Sequence, residues 1–116
     1  MSLESAAREM VARRSGGDCE VAIVGVCQGA ATGVHHRRKR SQGGGWGPAN
    51  LLGVCGSGTT GCHGWLEANP KARRDRGWWL FTGDGEPFTV ALFLRGHTYT
   101  RWYLLHPSLP FAGVVL

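Results

Sequence analysis

Between Cys19 and His63 stand four cysteines, the adjacent pair His35-His36, Asn50 and a closing histidine. Thiolates and imidazoles are the side chains that hold transition metals, zinc above all. Cys19 and Cys27 are separated by seven residues, and Cys55 and Cys62 by six. Both gaps are looser than the two residues of a standard zinc knuckle, so spacing alone leaves room for buried structural thiols or chance. The surroundings favour zinc. The chain carries 19 glycines, most of them between Gly16 and Gly64, where few apolar residues are at hand to pack a core. A tetrahedral site on Cys19, Cys27, Cys55 and Cys62 would close two loops on each other, and structural zinc contributes about 10–16 kcal/mol in small finger peptides.

That frame would fix the segment from Gln28 to Val54. His35-His36 lies in it, followed at once by Arg37-Arg38-Lys39-Arg40, with Asn50 near its end and His63 just beyond. Hydrolysis of a phosphodiester needs an activated water, neutralisation of charge on the phosphoryl oxygens and help for the leaving 3′ oxygen. An imidazole, with a pKa of about 6.5, is a competent base at neutral pH. Adjacent residues of a strand face opposite ways, so one histidine can meet a metal and the other a water where the strand end twists into a cleft. Arg37, Arg38, Lys39 and Arg40 then read as a phosphate-contacting strip, with Arg37 and Arg40 the preferred contacts. Lys71, Arg73, Arg74 and Arg76 extend that surface.

The elements that must position these residues follow from pattern. Leu3, Ala6, Ala7, Met10 and Val11 recur at helical spacing behind Ser2 as N-cap, which predicts a helix over 2–14 ended by Gly16-Gly17. A strand is expected near Thr32 to Arg37 and a loop from Arg38 to Ala49. Thr59 or Thr60 caps a second helix running through Cys62, His63, Trp65 and Leu66 to Asn69, where Pro70 interrupts it, and a basic helical turn follows over 71–76. The last third reads as β-rich: Trp78 to Thr82, Phe88 to Leu94 and Tyr99 to Leu105, with turns at Gly83-Asp84-Gly85 and Arg95-Gly96-His97. Trp65, Trp78, Trp79, Phe81, Trp102 and Tyr103 are assigned to the core, and His97 and His106 carry no role. One α+β domain over 1–116 is expected, with its core at 18–70 and a β-rich extension at 77–116. Thirteen Lys and Arg against eight Asp and Glu give a net charge of +5, which suits a polyanionic partner. No apolar run approaches the ~20 residues of a membrane span, and the N-terminus lacks the apolar core of a signal peptide. An intracellular, reducing setting with no membrane partner is expected, in which cysteines serve as metal ligands.

Taken in order, CEV, GVC, HHRRKRSQGG, ANLLGVC and GCHGWLEANP resemble the HNH nuclease family, in particular its small phage and actinobacterial forms. The match covers about Asp18 to Pro70. The resemblance implies a ββα-metal fold (the His-Me finger), in which a two-stranded ribbon and a helix grip one catalytic divalent ion beside a separate four-cysteine zinc. It implies His36 as the general base, His35 and His63 as ligands of the catalytic ion, and Asn50 as the residue that orients the base and braces the loop. Four residues after His63, where related sequences often have His, this chain has Glu67. A carboxylate there would bind Mg²⁺ or Mn²⁺ well, with Ni²⁺, Co²⁺ or Zn²⁺ as other ions the imidazoles accept. The implied activity is metal-dependent cleavage of double-stranded DNA, by nicking or by a double-strand cut, beside a phage packaging terminase large subunit or as a homing endonuclease. The competing reading is a zinc module that binds DNA without cutting it. A thiol redox protein is disfavoured, because the chain has no CxxC.

Overall fold

The computed structural model describes residues 2–95, 100–108 and 112–114. Its first element, α1 (Leu3–Ser15), begins where Ser2 accepts the backbone N–H of Ser5 at 3.0 Å and ends at Gly16, whose φ of 66° lets the chain turn left-handed. Of the expected apolar stripe, Ala7 and Val11 are buried and Leu3 lies open to solvent. Two antiparallel strands, β1 (Gly33–His36) and β2 (Leu51–Val54), pair with His35 opposite Leu52 and His36 opposite Leu51. Gly53 allows α1 to lie directly on this hairpin, since a Cβ there would stand 3.3 Å from Val11.

An interaction not foreseen in the sequence locks that packing. The Arg14 guanidinium donates to both carboxylate oxygens of Glu20, at 2.8 and 2.6 Å, and to the carbonyls of Pro48 and Leu51. Glu20 in turn accepts the backbone N–H of Gly53 at 2.9 Å. Both side chains are buried, so the pair stands only because its remaining hydrogen-bonding capacity is used.

After the hairpin come α2 (Gly61–Ala68) and, restarted by Pro70 at its first position, the short α3 (Pro70–Asp75). A second antiparallel sheet has the order β3 (Leu92–Arg95), β4 (Thr100–Leu105), β5 (Ala112–Val114). Cys19, Val21, Val54, Leu66, Trp78 and Leu92 are among the residues of the main core, between the hairpin, α2 and the second sheet. A smaller cluster of Ala7, Val11 and Leu51 lies under α1. The architecture is thus α+β, with two small antiparallel sheets. Among the described residues no helix is long and apolar enough to cross a membrane.

The segment from Trp78 to Thr82, expected as a strand, is irregular and runs into a 3₁₀ turn at Thr82–Asp84. Phe88 to Leu94 is a strand only from Leu92, because Pro87 opens a second 3₁₀ turn. The physical reason is a change of partner: the carbonyls of Gly77, Phe81, Gly85, Pro87 and Val90 accept from arginine side chains, not from a neighbouring strand. Most of the turn expected at Arg95-Gly96-His97 lies outside the described residues. The aromatic assignment divides as well. Trp78 is fully buried, whereas Trp102 is 41% exposed on the outer face of β4.

Candidate metal centres and the basic loop

The wide cysteine gaps close because each loop folds on itself. Between Cys55 and Cys62, Ser57 and Thr60 bridge in antiparallel fashion, with Ser57 N–H donating to Thr60 C=O at 3.1 Å. Gly56 and Gly61 hold φ values of 81° and 62°, and a Cβ on Gly56 would meet the Thr60 carbonyl at 2.1 Å. Only glycine fits there. Between Cys19 and Cys27 the chain turns at Ile23, whose carbonyl accepts from Val26 and Cys27.

As a result the sulfurs of Cys19, Cys27, Cys55 and Cys62 all lie within 4.8 Å of one another, and none is in a disulfide. The Cys27 and Cys55 sulfurs are 3.9 Å apart. Tetrahedral zinc, with Zn–S of about 2.3 Å, sets its sulfurs about 3.8 Å apart. Backbone N–H groups of Ala22, Ile23, Gln28, Gly29 and Cys62 donate to the four sulfurs, as thiolates require. Burial pushes the thiols of Cys19 and Cys62 up. Burial raises Cys55 too, but the N–H groups of Gln28 and Cys62 outweigh it and bring that thiol down to about 7. Four such groups ionise together only around a cation, so the set fits a structural zinc.

A second donor set draws on the same hairpin–helix unit. His35 of β1 and His63 and Glu67 of α2 offer ligand atoms within 4.8 Å of one another. Four residues is one helical turn, which puts His63 and Glu67 on one face. His35 is buried, and its Nε2 lies 2.7 Å from the carbonyl of Trp78. A carbonyl only accepts, so Nε2 carries the proton and donates, which fixes the tautomer of the ring. The residues expected to share an ion are therefore brought together, with a half-exposed carboxylate that keeps the set open to solvent.

Asn50 stands where β2 begins. Its Oδ1 accepts the Arg38 N–H at 2.8 Å, and its Nδ2 donates to the carbonyls of Arg38 and Gly45, both at 3.1 Å. It thus ties together both ends of the loop that follows His36. His36 itself lies outside the donor set. It packs edge-on against Trp46, ring centroids 4.6 Å apart, and its buried Nε2 has no partner among the described residues. Burial, then the charges of Arg40 and Arg8, lower its pKa.

The basic strip needs correction. Arg37, a preferred phosphate contact in the sequence, is fully buried. It donates to the carbonyls of Gly77, Ala49, Pro87 and Val90, at 2.8 Å for the first and 2.9 Å for the others. Burial, with Arg14 and Arg38 nearby, pulls its pKa down to about 9, which leaves it protonated at neutral pH. Arg38 is likewise spent on the carbonyls of Phe81 and Gly85. Strand alternation carries the explanation: Arg37 is two residues after His35 and follows it inward. Lys39 pairs with Glu67 at 3.8 Å and lies over Trp79. Only Arg40 of the four is exposed and bonded to no carbonyl or carboxylate among the described residues. Farther along, Arg74 pairs with Asp84 and Arg76 covers Trp78 and Phe93. The side chain of Arg73 lies outside the described residues.

Compared with known proteins, the chain matches no family model, no curated protein and no solved structure.

Proposed function

We propose that this chain is a metal-dependent DNA endonuclease of the HNH type. The observation that carries the reading is the convergence of His35, His63 and Glu67 on a strand–strand–helix unit, in the order the resemblance implies. The four-cysteine cluster supports it by tying the base of α2 to the loop before β1, and Asn50 supports it by bracing the loop after His36. In this reading His35 and His63 through nitrogen, and Glu67 through oxygen, hold one divalent ion. When bound, that ion supplies charge neutralisation on the phosphodiester and its leaving oxygen. Two imidazoles and one carboxylate form a borderline set that accepts Mn²⁺ and Mg²⁺ as well as Ni²⁺, Co²⁺ or Zn²⁺. The carbonyl of Trp78 fixes the tautomer of His35. His36, kept neutral by burial and by Arg40 and Arg8, takes the proton of the attacking water.

One observation favours a second reading, a zinc module that binds DNA without hydrolysis: His36 is turned toward Trp46 and away from the donor set. Nicking of supercoiled plasmid decides between them. The endonuclease nicks with Mg²⁺ or Mn²⁺, stops with chelator, and loses about 10²–10⁴-fold on His36→Ala while still binding DNA. A folded, zinc-loaded protein that binds DNA and never nicks it under any of these ions overturns the enzyme and leaves the module.

A further inference from the structure

Two arginines of this protein gather on one indole. The Arg8 guanidinium of α1 lies 5.2 Å from the centroid of the Trp46 ring, and that of Arg40 5.6 Å. Trp46 is half-buried against Ala7, Val11 and Leu51. Its neighbour Gly45 is pinned by Asn50, so the ring is a fixed platform. The platform also carries His36, with its unpartnered Nε2.

Arg8 and Arg40 keep unused donor capacity, as Arg13 and Arg76 do, but among the described residues only Trp46 gathers two guanidiniums on one ring. Arg14, Arg37, Arg38 and Arg74 spend their guanidinium N–H groups on carbonyls or carboxylates. Arg8 spends only its Nε, on Glu4 at 3.2 Å. Among the described residues its two terminal nitrogens, and the whole Arg40 guanidinium, make no hydrogen bond. Each guanidinium offers five N–H donors in a planar fork suited to phosphate. With Glu4 counted, the patch keeps a net positive charge. Like charges held together on a rigid aromatic are relieved by an anion that both can reach.

We infer that Arg8, Trp46 and Arg40 form a docking site for the sugar–phosphate backbone of duplex DNA, which makes α1 part of the DNA-binding face. The inference rests on the nucleic-acid part of the proposed function and replaces the buried Arg37 with Arg8 as the partner of Arg40. It places a phosphodiester strand beside His36, across the edge where α1 meets the loop.

The test is the salt dependence of binding, read by anisotropy of a labelled duplex with zinc-loaded protein and no added magnesium or manganese. Each lost phosphate contact flattens the slope of log K against log salt by about 0.9. Arg8→Ala and Arg40→Ala should each flatten it by that amount and the double variant by about 1.8, with melting temperatures unchanged because both side chains are exposed. Arg13→Ala, a charge on the same helix away from Trp46, should leave the slope alone. DNA should also quench a tryptophan signal that Trp46→Phe removes. A steep parent slope that Arg8→Ala and Arg40→Ala do not alter, or that Arg13→Ala alters equally, overturns the site and leaves the nuclease reading standing. A parent slope near zero overturns both. Quenching of Trp46 by inorganic phosphate at concentrations comparable to saturating DNA would make this a site for the free anion and overturn the DNA assignment.

Discussion

Replacing Arg37 separates a phosphate contact from an internal tie, because the two roles predict opposite measurements. In the structure its guanidinium reaches four carbonyls on three segments: Ala49 before β2, Gly77 after α3, and Pro87 and Val90 before β3. Arg37→Met keeps most of the stem and removes every donor. The carbonyls of Pro87 and Val90 are in part-buried bonds and can turn to water. Those of Gly77 and Ala49 are in buried bonds and cannot. An unsatisfied buried polar group costs about 1–3 kcal/mol, so two of them give about 2–6 kcal/mol. Against a total stability of about 5–15 kcal/mol for a domain, that is a large loss. Equilibrium unfolding of the zinc-loaded protein in urea should show the midpoint falling by at least about 0.7 M, for a slope of about 1–3 kcal/mol per molar. Arg37→Lys should recover little, because an ammonium lacks the fork. The salt slope of DNA binding, measured below the transition, should match the parent. An unchanged urea midpoint together with a salt slope flattened by about 0.9 would refute the internal role and restore the phosphate contact.

Metal analysis of freshly purified, reduced protein should find one zinc that survives dialysis, and stripping it should unfold the cysteine loops and expose the core around Cys62 and Leu66; a zinc-free chain with the same far-UV and near-UV spectra would remove the frame. Glu67→Ala should weaken the activating ion, with excess Mn²⁺ partly restoring the rate, and Glu67→His should shift preference toward Zn²⁺, Ni²⁺ or Co²⁺; an unchanged metal-concentration dependence would make Glu67 a plain helix residue. Glu20→Ala strands the buried Arg14 charge and the Gly53 N–H, a loss of about 3–5 kcal/mol by the usual cost of breaking a buried pair, and thermal melting within a degree of the parent would contradict it.

The local elements were legible where one chemical rule decided them. Ser2 as N-cap and Gly16 as the left-handed stop bound α1, and Pro70 ends α2, because caps and prolines act within one turn of their own position. The four cysteines were legible as a set, since nothing else in a glycine-rich stretch could close it. How gaps of six and seven residues close was not, because it depends on a Ser57–Thr60 bridge and on two glycines touching, which are contacts between loop atoms and not spacings. The β-rich reading of 78–90 failed for a related reason. Aromatic and alternating residues favour extended backbone, but whether an extended segment joins a sheet depends on who takes its carbonyls. Here Arg37 and Arg38, from the end of β1, take them.

The basic run shows most clearly what a linear charge pattern hides. Arg37, Arg38, Lys39 and Arg40 form one block in the sequence, and a block of cations reads as a surface. In the fold they leave the end of β1 one by one, and the period of two sends Arg37 inward behind His35. Each then meets a different environment: carbonyls for Arg37 and Arg38, a carboxylate for Lys39, an indole for Arg40. The alternation was available in the sequence, since a strand ending at Arg37 already sets His35 and Arg37 on one face. Burying a guanidinium costs free energy unless its donors are satisfied. Four carbonyl acceptors answer that cost, and they come from segments that no local pattern connects to β1. Two guanidiniums with unspent donors thereby meet over one indole, Arg40 from the end of this run and Arg8 from α1.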